Sequence, residues 1–327
     1  MKTPKSLLAK KPSDREKPSY EETLVGHIFM ACQAADILTE ALGSPLREAT
    51  LCSESDLFAW KRAVSFAAWA HDWGKANDHF LRLLIEPGTP QGVRHELLSI
   101  VIASEMEEWL EPIWNGMPRW VKSAAFFAVA GHHLKFPDPF EGSRTGTSVT
   151  VFLGHPEFAA VLQLGRKRFG LAEVPQLADK AYSLLRQGDV KRIVRSIRGA
   201  LGEDFTPMER VLIAATKTTV MSADLCGSAL PKVKDDPAGW LREPLGRVLS
   251  PQDLENVVGQ RLQGRSPRPF QQAARDATTR TVLVEAGCGT GKTAAAYLWA
   301  SRFAGGRRLF FCYHTTGTAS EGFAGYL

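Results

Sequence analysis

The sequence predicts a mainly α-helical bundle followed by the incomplete start of an α/β phosphate-binding domain. Between residues 20 and 230, apolar residues recur at helical spacing over long segments. Residues 281–300 contain an apolar run, a glycine-rich turn and an alanine-rich segment, which is typical of a strand, a loop and a helix. The 327 residues, of which 44% are apolar, suffice for two globular parts.

The predicted elements follow the chain in order. Residues 1–20 are rich in Lys, Pro and Ser and are predicted to be a flexible basic N-terminus. A helical domain spans residues 21–230, and a proline-containing linker region spans residues 231–266. A loop at residues 136–148 would be either a lid over a site or an ordinary surface loop. The predicted helices cover residues 28–42, 57–70, 96–110, 121–130, 158–164, 178–185 and 208–220.

Bulk properties indicate a cytoplasmic protein without a membrane segment. The five cysteines form no C-x-x-C pair, which favours free thiols in a reducing compartment. The first residues lack the apolar core of a signal peptide, and no apolar run approaches membrane-spanning length. The net charge of +5 suits a phosphate-backbone partner but decides nothing alone.

The segment Ala70–Ala76 places His71 beside Asp72, followed by Gly74 and Lys75, at the end of an apolar run. An imidazole and a carboxylate on consecutive helical residues can both reach a metal pair held between helices. Taken alone, such a pair is more often an ordinary helix end.

Other histidines and one aspartate also lie in apolar helical segments: His27, His95, His132, His133 and Asp224. Each alone could be a buried side chain with one hydrogen-bond partner, or a helix cap. Because unpaired polar groups are costly in apolar surroundings, metal ligation explains them together. His79 and His155 lie in more polar surroundings and are interpreted as non-ligands.

In this order, the motifs resemble the HD phosphohydrolase superfamily, and more narrowly the HD nuclease domain of CRISPR-associated helicase-nucleases of type I systems. The His132-His133 pair, Gly74-Lys75 and the segment 223–229 point to this branch. The resemblance covers about residues 20–230. It implies an all-helical domain that binds one or two divalent transition metals, cuts single-stranded DNA and works with an RNA-guided CRISPR surveillance complex.

The resemblance also implies roles for these residues. Asp72 would bridge two ions; one ion would be held by His27, His71 and Asp224, and the other by His95, His132 and His133. An imidazole-rich set suits Mn, Fe, Co, Ni or Zn better than Mg or Ca. Lys75 would neutralise charge that develops on the scissile phosphate, although a solvent-facing helical lysine is an equal alternative.

An independent phosphate-binding motif lies between Glu285 and Thr293, after the predicted strand 281–284. Backbone N–H groups of the loop that contains Gly289 and Gly291 would cradle phosphate. Lys292 would neutralise the β- and γ-phosphates, and Thr293 would offer its hydroxyl to Mg²⁺, so ATP and Mg are the expected cofactors. Ala286 replaces the first glycine of the standard pattern, as is common in the superfamily 2 helicases that this segment resembles.

Flanking segments extend the likeness to a partial RecA-like helicase domain at residues 267–327. Residues 268–271 resemble the helicase Q motif, in which Gln271 would read adenine; a helix start after Pro269 is the alternative. Residues 308–313 are predicted to be a second strand, and residues 314–320 resemble motif Ia. No Walker B segment follows before Leu327, so we expect this chain to hold a truncated motor without helicase or ATPase activity.

Three functions are compatible with these features. The first is a metal-dependent single-stranded DNA nuclease of CRISPR interference, joined to a helicase motor. The second is an HD-type nucleotide phosphohydrolase, against which the phosphate loop and motif Ia argue. The third is a non-catalytic module that docks on the surveillance complex, against which the complete set of candidate ligands argues.

Overall fold

The computed structural model is mainly helical, as the sequence predicts. The described residues fall into two compact units, Met1–Arg242 and Glu243–Leu327. None of the described helices is long and apolar enough to cross a bilayer. The residues that the structure describes are 4–86, 88–89, 94–133, 148–183, 195, 199, 204–232, 234–247, 250–279, 281–287 and 289–303.

The first unit is a helical bundle whose core is rich in aromatic side chains. Trp60, Trp69, Trp73 and Trp120 are fully buried, together with Phe66. Its described helices, α1 to α8, are Leu24–Thr50, Glu54–Ala70, Asp78–Ile85, His95–Glu105, Glu107–Leu110, Arg119–Ala130, Pro156–Phe169 and Pro207–Ala229.

Local sequence explains where the long helices begin. The Thr23 hydroxyl accepts the N–H of Gly26 at the start of α1. The α2 and α8 helices each begin with a capping box, formed by Ser53 with Asp56 and by Thr206 with Glu209. These caps fix the helices that carry most of the candidate ligands.

The N-terminal segment packs on the bundle. Leu7 is fully buried, and its N–H donates to the Glu157 carboxylate over 2.6 Å. The N–H of Ala9 donates to the Glu22 carbonyl, and the N–H of Leu24 donates to the Leu7 carbonyl. The predicted flexibility is therefore wrong for this part of residues 1–20, since three apolar side chains at residues 7–9 are buried among otherwise polar neighbours.

The described sheet consists of two antiparallel strands, β1 (Ser148–Val151) and β2 (Lys180–Ser183). The predicted helix at residues 178–185 is therefore wrong. Cross-strand pairing with β1, for example between Val149 and Tyr182, prevails over a short helical pattern that local sequence cannot distinguish from a strand. Of the predicted loop at residues 136–148, only Ser148 is described, and it begins β1.

The predicted linker region contains helices. Pro237–Gly246 forms α9, in which Leu241 is buried, and Pro251–Leu262 forms α10. Pro251 is at the first turn of its helix behind the Ser250 cap, where proline is favoured. Pro237 likewise begins α9, whereas Pro244 lies inside that helix.

The second unit combines α10 with α11 (Pro269–Asp276) and α12 (Lys292–Ser301). Its core contains Leu254 and Val258 from α10 and Tyr297, Leu298 and Ala300 from α12. The predicted strand at residues 281–284 is not formed among the described residues, and Leu283 is 83% exposed. A strand needs a hydrogen-bonded partner, and the predicted partner at residues 308–313 and the motif Ia segment lie outside the described residues.

Candidate metal centre

The candidate ligands come from the ends or interiors of five helices of the first unit. His27 lies in α1, His71 and Asp72 follow α2, and His95 begins α4. His132 and His133 follow α6, and Asp224 lies in the last part of α8. The structure thus brings together seven residues that are up to 197 positions apart in the chain, from 27 to 224.

Close packing of the α2 end against α4 sets the position of His71, Asp72 and His95. The Ser99 hydroxyl contacts the carbonyl oxygens of His71 and His95 at 2.8 and 3.0 Å and accepts the N–H of Gly74 at 2.8 Å. A Cβ atom on Gly74 would lie 2.0 Å from the His95 carbonyl oxygen. Residue 74 must therefore be glycine for the two elements to approach this closely.

The first donor cluster consists of His27, His71, Asp72 and Asp224. The His27 Nε2 atom lies 3.3 Å from His71 Nε2, 3.0 Å from Asp72 Oδ2 and 3.2 Å from Asp224 Oδ1. The His71 Nε2 atom lies 3.3 Å from Asp72 Oδ2 and 3.7 Å from Asp224 Oδ1.

The second donor cluster consists of His95, His132 and His133. The His95 Nε2 atom lies 3.4 Å from His132 Nε2 and 3.3 Å from His133 Nε2. Asp72 faces this cluster with its other oxygen, because Oδ1 lies 3.2 Å from His95 Nε2 and 3.7 Å from His132 Nε2. One carboxylate thus separates the two clusters and presents one oxygen to each.

These donors fit divalent ions by geometry and by chemistry. Donor atoms bound about 2.1 Å from one ion lie roughly 3.0 to 3.4 Å from one another, which is the range of the closest contacts in both clusters. His71 and His132 donate Nδ1–H to the carbonyl oxygens of Ala68 and Val129, so each ring directs its Nε2 atom into the site, where a deprotonated Nε2 can bind a metal. Neither oxygen of Asp72 accepts a well-directed hydrogen bond, although the side chain is fully buried.

The charges of the metal-free site are strongly coupled. Burial alone would lower the pKa of His71, but the Asp72 and Asp224 carboxylates outweigh it and raise that pKa to about 10. Burial would raise the pKa of Asp72, yet His71 and Lys75 hold it well below its usual range. Burial and the neighbouring His71 hold the pKa of His132 far below its ordinary value, so this ring is a neutral donor.

Asp224 and His133 are the members of the two clusters that reach solvent. Their side chains are 20% and 47% exposed, whereas those of His27, His71 and Asp72 are at most 1% exposed. Burial would raise the pKa of Asp224, but hydrogen bonds from His27 and His71 lower it. Burial and the proximity of His95 lower the pKa of His133.

Lys75 lies inside the site and is not a solvent-facing lysine. Its Nζ atom lies 2.6 Å from Asp72 Oδ2 and 5.4 Å from the centre of the Phe80 ring, and the side chain is 13% exposed. It follows Asp72 in a short 3₁₀ turn, Trp73–Lys75. The position supplies a positive charge next to the shared carboxylate.

Two buried polar residues of the site are missing from the sequence prediction. Glu96 is 1% exposed, and its carboxylate oxygens lie 3.5 Å from His95 Nδ1 and 3.8 Å from His133 Nε2. Ser99 joins the two elements that carry His71 and His95, as described above. Glu96 follows a candidate ligand directly, which was the available signal, whereas nothing in the local sequence distinguishes Ser99 from other helical serines.

The remaining two described histidines have structural partners elsewhere. The His79 Nε2–H group donates to the carbonyl of Ser148. His155 begins α7, where its Nδ1 atom accepts the N–H of Glu157 and its Nε2–H group donates to the carbonyl of Pro4. Neither histidine is part of the two donor clusters.

The candidate nucleotide-binding residues lie in the second unit. Gly289 and Gly291 have φ angles of 71° and 91°, and α12 begins at Lys292. The Lys292 ammonium donates to the carbonyl oxygens of Ala286 and Gly287, both at 2.8 Å. The side chain of Gln271 is buried, and its amide donates to the carbonyl of Gly291 at 3.0 Å.

The backbone carbonyls of this loop therefore occupy the ammonium group of Lys292. Thr293 follows Lys292 in the first turn of α12. The Gln271 amide contacts the loop backbone, and its oxygen accepts the N–H of Arg268, so both ends of the amide are engaged within the protein. Adenine recognition by Gln271 and phosphate binding by the loop stay predictions.

The first unit defines a class of protein: a helical bundle that gathers five histidines and two aspartates in adjoining donor clusters. In an alignment 343 positions long, the chain is 34% identical to a protein of Myxococcus xanthus (strain DK1622) provisionally named CRISPR-associated nuclease/helicase Cas3. The alignment covers 99% of this chain and 44% of the relative. This similarity supports the resemblance to CRISPR-associated helicase-nucleases that the motifs indicate, and the chain is Cas3-like in sequence.

The chain spans less than half the length of this relative. No family model matches the chain. No solved structure matches it.

Proposed function

We propose that the helical unit is a metal-dependent nuclease that hydrolyses phosphodiester bonds of single-stranded DNA in CRISPR interference. The observation that carries the proposal is the position of Asp72, one oxygen of which faces the imidazole and carboxylate donors of the first cluster and the other the three imidazoles of the second. The Cas3-like sequence supports the nuclease class and the CRISPR context.

The ligand set proposed for one ion is His27, His71 and Asp224, and for the other His95, His132 and His133, with Asp72 shared. Divalent transition metals such as Mn, Fe, Co or Ni in these positions would polarise a phosphate and supply an attacking water at neutral pH. Asp72 presents one oxygen to each cluster, and hydrogen bonds to backbone carbonyls orient the rings of His71 and His132. Lys75 is placed to neutralise negative charge that develops beside Asp72.

The buried position of the donors favours a single strand as substrate. Five of the seven candidate ligands are buried, so a phosphate must approach at the edge marked by Asp224 and His133. A flexible single strand can bend into such a site at a lower energy cost than a stiff duplex. Phosphate contacts carry no base information, so target choice would come from an RNA-guided surveillance complex as partner.

The test combines metal analysis with cleavage of matched single- and double-stranded DNA circles. The protein loaded with Mn²⁺, Co²⁺ or Ni²⁺ should hold two ions and cut the single-stranded circle while sparing the duplex. Asp72→Asn should lower cleavage by more than about 100-fold and reduce the bound metal, because it removes the shared charge. Asp36→Asn, an exposed carboxylate paired with Arg168, is the matched control and should behave as the unmodified protein.

Other outcomes of the same experiment would contradict the proposal. Equal cutting of both circles would exclude single-strand preference. Hydrolysis of free nucleotides without cleavage of either circle would favour the nucleotide phosphohydrolase. Tight association with a surveillance complex without bound metal or hydrolysis would favour a non-catalytic docking module.

For the second unit, we propose the beginning of an ATP-binding helicase motor in which Gly289, Gly291, Lys292 and Thr293 bind phosphate and Mg²⁺. The left-handed glycines and the helix that starts at Lys292 support this assignment. Titration with ATP and Mg²⁺ tests this assignment, because nucleotide binding should require the Lys292 ammonium group.

A further inference from the structure

The packed N-terminal segment ends at the edge of the candidate metal centre. Leu7 and Ala9 are fixed by backbone hydrogen bonds to Leu24 and Glu22, so the chain reaches Lys10 with a defined course. Lys10 is partly buried, and its ammonium group donates to the carbonyl of Ser228 at 3.3 Å. A lysine that composition assigns to a flexible tail is therefore held against α8.

Lys10 lies one helical turn from a candidate ligand. Ser228 follows Asp224 by four residues in α8, and its hydroxyl contacts Asp224 Oδ1 at 3.5 Å. Asp224 is the member of the first donor cluster that reaches solvent. The ammonium group thus borders the side on which a phosphate would approach that cluster.

Two further lysines share this electrostatic environment. The pKa of Lys10 is lowered by burial, then by Lys232, and also by Lys75, against the opposing effects of Glu21 and Glu22. Lys232 is exposed in the 3₁₀ turn that follows α8, and Lys75 contacts Asp72. Lys10 is therefore close enough to two lysines from other parts of the chain to be repelled by both.

Two acids, Glu21 and Glu22, oppose this repulsion, but the second is already engaged elsewhere. The Glu22 carboxylate is buried and already accepts the N–H groups of Ser13 and Ser19 at 2.7 and 2.9 Å. Lys75 is paired with Asp72. An arriving anion that contacts several of these lysines would relieve their mutual repulsion, and a phosphodiester backbone supplies such anions at regular intervals.

We propose that Lys10 binds a backbone phosphate of the DNA strand next to the phosphate held at the metal centre. The N-terminal segment is then part of the nuclease site, with Lys232 farther along the same path. Lys10 acts as a positioning residue, because it fixes the course of the strand without touching the reacting phosphate. This inference rests on the proposed function, since it requires a nucleic-acid strand at the metal centre.

The test measures binding of a fluorescent oligothymidine to the full chain in a chelator, so that cleavage cannot occur, over a range of salt concentrations. Lys10→Ala should weaken binding by about fivefold, as expected for loss of a partly exposed charged contact. The slope of the logarithm of affinity against the logarithm of salt concentration should fall by about 0.7. Lys11→Ala, which removes an exposed lysine at the next position, should leave both quantities unchanged.

Two further variants separate phosphate binding from a structural role. Lys10→Gln keeps a hydrogen-bond donor for the Ser228 carbonyl without the charge, and Lys10→Arg keeps the charge. We expect arginine to restore affinity and salt dependence and glutamine to restore only the melting temperature. Equal restoration by both variants, or an equal loss in Lys11→Ala, overturns the inference.

Cleavage assays on the metal-loaded protein distinguish failure of this inference from failure of the proposed function. Suppose that the unmodified protein cuts single-stranded circles and that Lys10→Ala binds oligothymidine as tightly as the unmodified protein. Then only the role proposed for Lys10 is wrong. If the unmodified protein cuts no DNA with any of the metals, the nuclease proposal is wrong, whatever the binding data show.

Discussion

His71 carries a proton that a metal ion must displace. Its pKa of about 10 in the metal-free protein results from the opposing effects of burial, which lowers it, and of Asp72 and Asp224, which raise it. The raised pKa stabilises the metal-free fold below the ordinary imidazole pKa, and this contribution is lost as the pH rises through about 10. Metal binding and proton binding therefore compete for the same nitrogen.

We expect metal affinity to increase with pH from about 6 to about 9, without levelling off above the ordinary imidazole value of about 6.5. The affinity should increase because each pH unit removes part of the proton competition at His71. Calorimetric titration with Mn²⁺ in buffers of different ionisation enthalpy would measure both the affinity and the number of protons released. An affinity independent of pH above about 7 would contradict the role of His71.

The sequence alone predicts seven candidate ligands because each is a polar residue within or next to an apolar segment, and the structure brings them into two donor clusters. A polar side chain that is buried needs a hydrogen-bond partner or a metal, so its position in an apolar segment is informative without a structure. The sequence does not determine the contact of the Glu96 carboxylate with His133 or the pairing of Lys75 with Asp72. The first depends on where the end of α6 brings His133 toward α4, and the second depends on the 3₁₀ turn Trp73–Lys75 that follows Asp72.

At the scale of elements, the contact between α2 and α7 depends on a glycine. A Cβ atom on Gly165 would lie 2.0 Å from the ring of Trp69, which is fully buried and donates its indole N–H to the carbonyl of Val161. The ring is therefore unable to move aside without losing that hydrogen bond. This glycine sets the distance between two helices of the bundle.

Gly165→Ala should lower the free energy of unfolding by about 1 to 3 kcal/mol, as expected for overpacking of a tight core. Chemical denaturation followed by tryptophan fluorescence would measure the change. The control is Ala159→Gly on an exposed face of α7, which changes helix propensity alone. Gly170→Ala is unsuitable as a control because the φ of 67° at Gly170 would strain an alanine. An unchanged free energy of unfolding in Gly165→Ala would show that the Trp69 ring has room to shift.

Long helices were predictable from sequence, whereas short elements were not. The α1, α2, α6 and α8 helices present long apolar stripes, so their existence follows from periodicity. Residues 180–183 become a strand only because residues 148–151 lie beside them, and this pairing is a long-range effect. Pro251 stands at a helix start and not in a linker because Ser250 and Asp253 cap the helix.

At the scale of the whole molecule, the two compact units suggest separate chemistry for each. The candidate metal residues all lie in Met1–Arg242, and the candidate phosphate-binding residues all lie in Glu243–Leu327. The sequence placed the division in a region of 36 residues, 231–266, whereas the structure divides the chain after Arg242. Arg242 lies within the predicted region, and α10, which also lies there, contributes Leu254 and Val258 to the core of the second unit.

Lys292→Ala should leave metal-dependent cleavage of single-stranded DNA by residues 1–327 unchanged while weakening ATP binding. The reason is that Lys292 contacts only its own loop, at Ala286 and Gly287, among the described contacts. Cleavage rates with and without ATP, together with nucleotide titration, would test this. A loss of cleavage in the variant would mean that the two units act together.

The unequal exposure of Asp224 and His133 has a consequence for how the centre is filled and emptied. Each donor cluster has one member at the surface, 20% exposed in one and 47% in the other, while the shared Asp72 is sealed inside. Each ion would therefore be reached from solvent past its own exposed ligand, and the ligand His133 is more exposed than Asp224. We expect a chelator to strip the ion beside His133 first, leaving a transient form that holds a single ion beside Asp224.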